Sequence, residues 1–171
     1  TDNTISIAKK HSNVIIHEGD FLGFGATKNY AINLAKNNWI FSIDADEIIS
    51  KELSIHISKI NLQPKLIGEI QRRNYFLGKE IKVAGWGRNK IIRLFNRNEF
   101  RFSKDSVHEK VEINTSARKT ILNGNIKHLA VNKLSQTLEK ANLYSELFSN
   151  KHRKPLPFWM ILLKTQYAFC R

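Results

Sequence analysis

The stretch Trp-Ile-Phe-Ser-Ile-Asp-Ala-Asp-Glu, residues 39–47, decides the fold of this chain. Its first five residues are mostly apolar, which is typical of a strand that is buried inside a sheet. Its last four residues include three carboxylates, Asp44, Asp46 and Glu47. In open α/β sheets, ligands bind just beyond the carboxyl ends of the strands. We therefore predict a buried strand that leads directly into a ligand site.

Helical patterns lie on both sides of this strand. Apolar residues recur at helical spacing in residues 26–36, and residues 51–60 predict the next helix. Further upstream, residues 4–10 predict a short helix after a good capping sequence, and residues 14–16 predict a brief strand. This alternation of helices and strands predicts an α/β sheet with parallel strands in the first half of the chain.

The pattern changes after Pro64. Turn residues then separate runs that predict strands, and a helical pattern with one apolar face follows them. These segments are predicted strands at residues 67–77, 90–95, 107–113 and 120–128, and predicted helices at residues 134–150 and 158–171. We expect a catalytic domain over residues 1–130 and a C-terminal helical segment over residues 131–171.

Composition limits the class of protein. The chain has 171 residues, of which 42% are hydrophobic, so one domain with a real core is expected. A single cysteine, Cys170, excludes an internal disulfide framework. No apolar run approaches the roughly 18–20 residues that a membrane-spanning helix needs. Because the chain opens with Thr1 inside a helix cap, we expect its first strand to be missing.

The charge balance is strongly basic. Lys and Arg number 28 against 15 Asp and Glu, which gives a net charge of +13. Such a charge favours an anionic partner: nucleic acid, a lipid headgroup surface or a phosphorylated substrate. A solvated basic surface without a specific partner is the alternative, because the basic residues are spread along the chain.

The acidic segment suits a divalent cation. Three carboxylates within four residues repel one another unless they are solvated or meet positive charge. Mg²⁺ and Mn²⁺ prefer carboxylates together with substrate phosphates, so Asp44 and Asp46 are candidate metal ligands. His128, at the end of a predicted strand, is a further candidate. The alternatives are a solvated turn at residues 44–47 and a structural histidine.

Two segments resemble a known family. Residues 24–31, Phe-Gly-Ala-Thr-Lys-Asn-Tyr-Ala, together with residues 39–47, resemble family 2 glycosyltransferases of the GT-A type. Residues 1–4 are similar to the end of an upstream segment of that family. Four further segments resemble the branch of this family that adds glucose to the lipopolysaccharide inner core. They are residues 73–78, 85–86, 92–95 and 107–109.

This resemblance implies a fold, an activity and a donor site. The fold would be a GT-A-like mixed sheet flanked by helices, without its first strand, so this piece alone would lack contacts to the nucleotide base. The activity would be inverting transfer of a hexose, glucose from UDP-glucose, to a glycolipid or oligosaccharide acceptor. Asp46 would bind Mn²⁺ or Mg²⁺ at the donor diphosphate, Asp44 the ribose or the metal shell, and Lys28 would lie near the nucleotide.

An inverting transfer needs a base that takes the proton of the acceptor hydroxyl. A carboxylate on a loop that faces the donor can do this, and Glu109 stands where the family has its acidic residue. Asp105 is the second candidate, and a surface Glu109 paired with a lysine is the alternative reading. Trp86, between two glycines, could stack on a sugar ring or pack on the core, and Arg93 is a further candidate for acceptor binding.

Two other classes of function compete with this reading. A basic module that binds nucleic acid would explain the charge but not the acidic end of the strand, and no nucleic-acid-binding motif is visible. A metal-dependent phosphotransferase or nuclease is the third possibility. We expect no nucleic acid among the partners, because the acidic segment and the resemblance both favour a nucleotide-sugar donor.

The C-terminal segment suggests contact with a membrane surface. Residues 158–163 are apolar and aromatic, and basic residues flank them on both sides. This pattern is typical of an interfacial helix on an anionic leaflet, although a helix docked on the core is the alternative. We expect a cytoplasmic protein at the inner face of a bacterial inner membrane.

Removal of residues 151–171 should therefore weaken binding to anionic vesicles. Each basic residue near an anionic leaflet contributes about 1 kcal/mol, and apolar burial adds a contribution that salt does not screen. Co-sedimentation of the intact chain should weaken without vanishing as salt brings the Debye length below about 10 Å. Equal partitioning of the intact chain and of a chain ending at Asn150 would contradict this prediction.

Overall fold

The computed structural model describes residues 3–83, 87, 89–105 and 109–131, and further on positions 142, 145, 157, 159 and 160. Nearly all of the predicted helix at residues 134–150 and of the apolar segment at residues 158–171 lies outside the described residues. In the part of the chain that is described, no helix is long and apolar enough to cross a membrane.

Three helices and eight strands make up the described fold. The helices are α1 (Thr4–Ala8), α2 (Phe24–Leu34) and α3 (Lys51–Lys59). The first four strands are β1 (Trp39–Phe41), β2 (Glu47–Ile49), β3 (Leu66–Phe76) and β4 (Lys79–Glu80). The last four are β5 (Asn89–Asn96), β6 (Arg101–Phe102), β7 (Val111–Glu112) and β8 (Arg118–Val131).

One mixed sheet organises these elements. Its strand order is β1-β5-β3-β8-β2, β4 pairs with β3, and β6 and β7 form a separate small sheet. Strands β3 and β8 are parallel, whereas β1 with β5, β5 with β3, and β2 with β8 are antiparallel. The prediction of an α/β fold with a mixed sheet is confirmed.

Two local predictions were wrong. Residues 14–16 form no strand in the described structure, and Val14 and Ile15 are exposed, because a short apolar run has no ladder to join there. Strand β1 was expected among parallel neighbours but pairs antiparallel with β5 and is half-buried. The periodicity of a segment does not reveal which strand will pair with it.

The sheet separates two apolar clusters. Successive side chains on a strand point to opposite faces, so Ile67 and Leu66 belong to different clusters. One cluster packs beneath α2 and β6–β7: Ile32, Ile67, Phe95, Phe100, Phe102 and Val111. The other packs beneath α3: Leu53, Leu66, Ile70, Leu94, Leu122 and Ile126.

A β-bulge interrupts the pairing of β3 with β5. The register passes from Gly68–Leu94 to Glu69–Ile92, so Arg93 is the extra residue. The neighbouring backbone is tightly packed, because a Cβ on Gly68 would lie 2.8 Å from both Leu122 Cδ1 and Leu94 Cβ. Bulges change the direction of a side chain, and this one separates Arg93 from the regular alternation of the strand.

Helix α2 is fastened to strand β6 through one side chain. The Asn29 Nδ2 amide donates to the Phe102 carbonyl at 2.8 Å, and the Phe102 amide donates to Asn29 Oδ1 at 3.0 Å. One turn earlier, the Gly25 amide donates to the Asp105 carbonyl at 3.2 Å. A Cβ on Gly25 would overlap the Ser103 carbonyl oxygen, so only glycine permits this approach.

Replacement of Asn29 by alanine should loosen this attachment. The substitution removes two hydrogen bonds and leaves two backbone groups unpaired, so the free energy of unfolding should fall by about 1–3 kcal/mol. Urea denaturation measures the change. Asn37→Ala, at an exposed position beyond α2, is the matched control, and an equal loss in both variants would contradict the role given to Asn29.

Candidate active site

Asp44 stands three residues after the end of β1, and its carboxylate is paired with two cations. Its Oδ1 lies 2.8 Å from Lys28 Nζ, and its Oδ2 lies 2.7 Å from Arg93 Nη2. Burial alone would raise the pKa of Asp44, but the charge of Arg93 and the hydrogen bond and charge of Lys28 more than offset it. The net effect holds the pKa of Asp44 below its usual value, so the carboxylate is ionised.

Glu47 is the fully buried carboxylate of the same cluster. Its Oε1 lies 2.6 Å from Arg93 Nη2 and 3.6 Å from Arg72 Nη1, and its side chain is 0% exposed. Its Oε2 accepts the Asp44 backbone amide at 3.0 Å. Because an unpaired buried charge is very costly, this carboxylate depends on the arginines beside it.

Arg93 therefore bridges the carboxylates of Asp44 and Glu47. Burial would lower the pKa of Arg93, but the charges of Glu47 and Asp44 and their hydrogen bonds outweigh burial and raise the pKa above its usual value. The guanidinium is therefore permanently charged. Its side chain is 6% exposed. The predicted contact of Arg93 with an acceptor stays a prediction, and the burial favours a role in holding the acidic segment.

Asp46 faces a different partner. Its Oδ2 lies 3.5 Å from His128 Nε2 on β8, and His128 Nδ1 lies 2.8 Å from Asn74 Oδ1 on β3. His128 therefore lies between the Asn74 amide and the Asp46 carboxylate, which together fix the orientation of its ring. A histidine oriented by a second polar group in this way is common at metal sites.

The residues present fit a divalent cation only in part. Across the described ranges, no group of three His, Cys, Asp or Glu side chains is arranged to hold a metal ion. Both oxygens of Asp44 are paired with cations, and Asp46 and His128 place a carboxylate and an imidazole side by side. A cation held here would need substrate oxygens to complete its coordination sphere, and Mg²⁺ is commonly bound in this way.

Glu109 joins the cluster from the segment before β7. Its Oε1 lies 2.6 Å from Lys28 Nζ, and both side chains are mostly buried. The Lys28 ammonium also lies 5.2 Å from the centre of the Phe102 ring. The backbone of Asp105 is bonded to α2 through Gly25, so both candidate bases lie near the start of that helix.

Most of the predicted site residues meet at one place. Lys28, Asp44, Arg93 and Glu109 form one connected network, and Asp46 with His128 lies beside it. Trp86, predicted to bind the acceptor, and His108 lie outside the described residues. Three further residues complete the network and were not predicted as site residues: Glu47, Arg72 and Asn74.

The spacing of two of these residues is the signal that the sequence offers. Arg72 and Asn74 stand two residues apart on β3, so their side chains lie on the same face of the sheet. Asn74 is buried, which a polar side chain tolerates only with hydrogen-bond partners. No signal in the sequence marks Glu47 as more buried than Asp44.

Comparison with known proteins places this geometry in a family. Residues 1–124 match the family described as glycosyl transferase family 2. The chain belongs to glycosyl transferase family 2, which confirms the predicted GT-A-like class of fold.

Its curated relatives are named as glycosyltransferases. The chain is 30% identical over 156 residues to uncharacterised glycosyltransferases of Rickettsia typhi and of Rickettsia prowazekii. It is 28% identical over 163 residues to an uncharacterised glycosyltransferase of Rickettsia conorii. These matches cover 85% of the chain, which spans about half the length of the relatives: 53% of the first two and 55% of the third.

Because Asp44 is held in ion pairs, the free energy of unfolding should depend on pH in the acidic range. The pKa of Asp44 is lower in the folded chain than the unfolded value of about 3.9, so its stabilisation is present above that pH. It is lost as the pH falls through the lower folded-state pKa. Between about pH 6 and about pH 3, the wild type should lose more unfolding free energy than Asp44→Asn.

Urea denaturation at each pH measures this difference. Asp20→Asn, at an exposed position outside the cluster, is the control and should keep the acid dependence of the wild type. If Asp44→Asn also keeps that dependence, the pairing with Lys28 and Arg93 does not contribute to stability.

Proposed function

We propose that the whole protein is an inverting glycosyltransferase that moves a hexose from a nucleoside diphosphate to an acceptor hydroxyl. The observation that carries this proposal is the network that Lys28 makes with Asp44 and Glu109, at 2.8 Å and 2.6 Å. It brings the acidic end of the β1 segment and a second carboxylate together at one site. Membership of glycosyl transferase family 2 and the names of the relatives support the reaction class.

The donor diphosphate would meet Asp46 and His128 rather than Asp44. These two side chains would hold Mn²⁺ or Mg²⁺, which supplies positive charge for the leaving nucleoside diphosphate. Asn74 orients the His128 ring, and the Asp46 carbonyl accepts the Leu129 amide at 2.8 Å, so the segment is fixed from two sides. Asp44, paired with Lys28 and Arg93, would contact the donor ribose.

Glu109 would act as the base. Its Oε1 accepts a hydrogen bond from Lys28 Nζ, and its Oε2 would take the proton of the acceptor hydroxyl. The acceptor oxygen then attacks the anomeric carbon from the face opposite the leaving diphosphate, which inverts the configuration. Asp105 is the second candidate for this role.

The finer identity of the substrates is a proposal that rests on the sequence resemblance. We propose UDP-glucose as the donor, and an acceptor in the lipopolysaccharide core or a related glycan. A net charge of +13 suits an anionic glycolipid and attachment to the inner face of a bacterial inner membrane. A basic module for nucleic acid and a metal-dependent phosphotransferase are the rival functions.

Asp46→Asn should abolish transfer in the whole protein while the fold persists. The amide keeps the shape but loses the charge that binds a cation. Release of UDP from a panel of sugar nucleotides measures the activity, circular dichroism checks the fold, and Asp20→Asn is the control.

Chelation of divalent metal by EDTA should have the same effect as Asp46→Asn, and added Mn²⁺ should restore the wild type. Full activity of Asp46→Asn, or of the wild type in EDTA, would refute the cation role. Phosphate release or cleavage of nucleic acid without UDP release would favour a rival function.

Glu109→Gln should lower turnover by roughly 10²–10⁴-fold, because the amide cannot take a proton. Donor binding, measured by calorimetry with UDP and Mn²⁺, should persist. Asp105→Asn is the comparison, and if it shows the loss while Glu109→Gln does not, the base is Asp105.

A further inference from the structure

One face of α2 holds the segment that carries Glu109. Gly25, Lys28 and Asn29 stand three and four residues apart, so they lie on the same side of the helix. Each contacts the chain between β6 and β7 or its border: Gly25 at the Asp105 carbonyl, Lys28 at Glu109, and Asn29 at Phe102. The helix therefore contacts this segment through three residues.

Lys28 differs from the other two contacts because it reaches further. Its Nζ lies 2.6 Å from Glu109 Oε1 and also 2.8 Å from Asp44 Oδ1, so one ammonium bridges carboxylates from two parts of the chain. The Lys28 side chain is 17% exposed, and its ammonium lies over the Phe102 ring. Limited solvent strengthens both ion pairs, and the aromatic face adds a separate attraction for the ammonium.

Glu109 depends on this bridge for its position. Among the residues that the structure describes, Lys28 is the partner of the Glu109 carboxylate, and it takes Oε1. A glutamate side chain without such a contact samples several rotamers, and fixing it costs entropy. A base must lie within hydrogen-bond reach of the proton that it takes, so a fixed carboxylate matters for the rate.

We propose that Lys28 is a positioning residue, which fixes the Glu109 carboxylate at a set distance from Asp44 on the donor side. This inference rests on the proposed function. It differs from a lysine that only attracts the nucleotide, because Lys28 acts through Glu109 and its main effect is on turnover. In the reaction, the acceptor hydroxyl gives its proton to Glu109 and its oxygen bonds to the anomeric carbon. The bond from that carbon to the diphosphate breaks, and its electron pair leaves with the diphosphate.

A kinetic double-mutant cycle tests this role in the whole protein. Lys28→Met should lower kcat by about 10²-fold, a loss typical of a misplaced catalytic group, and should change the KM for the donor less. Lys28→Arg should recover part of kcat, because a guanidinium can also bridge two carboxylates. In the Glu109→Gln background, Lys28→Met should cost no more than about twofold, since residues that act as a unit are not additive.

Three outcomes of this cycle would overturn the proposal. They are a loss confined to the donor KM, a full further loss of kcat in the Glu109→Gln background, and an equal loss in Lys36→Met. Lys36 is exposed just after α2 and serves as the matched control.

Amide hydrogen exchange tests the same inference without any substrate. Lys28→Met should speed exchange in residues 109–112 several-fold over the wild type, because the segment loses one of its three attachments to α2. Lys36→Met should leave that exchange unchanged. Unaltered exchange in Lys28→Met overturns the positioning role even if the protein transfers sugar. If the wild type releases no UDP, the proposed function fails, and this measurement alone decides whether Lys28 fixes Glu109.

Discussion

The buried guanidinium of Arg93 is the contact on which the acidic segment depends. It lies 2.7 Å from Asp44 and 2.6 Å from Glu47, and it is almost without solvent. Carboxylates this close in sequence would otherwise repel one another and stay at the surface. Because Arg93 neutralises them from inside, the chain can turn tightly after β1 and enter β2 with Glu47 in the interior. The β-bulge supplies this cation at a point where a regular strand would continue its alternation.

The remaining charges are arranged around that centre in two branches. One branch runs from Asp44 through Lys28 to Glu109 and connects the end of β1 to α2 and to the segment before β7. The other runs from Asp46 through His128 to Asn74 and connects the same turn to β8 and β3. Networks of this kind resist motion, since each side chain is fixed by partners on different elements. Rigid placement is what a site needs when charge develops during a reaction.

The sequence indicated the local parts of this arrangement better than the distant ones. The apolar run before Asp44 predicted both a strand and a ligand site, because periodicity and charge are local properties. The antiparallel partner of β1 and the failure of residues 14–16 to form a strand depend on which segments meet in three dimensions. The same is true of the bulge at Arg93, whose register is set by β3. Glu47 could not be separated from Asp44 in the sequence, because its burial follows from two arginines that lie far along the chain.

The parallel pairing of β3 with β8 gives the site a fixed place in the order of folding. Strand β8 lies between β3 and β2, pairs Asn74 with His128, and is the last strand of the described sheet along the chain. Contacts between segments so far apart slow folding, because closing a long loop costs entropy before the contacts can form. During synthesis, the turn that bears Asp46 therefore emerges well before its histidine. The site gains His128 only when β8 joins the sheet, so a chain that stops before β8 lacks the Asp46–His128 pair.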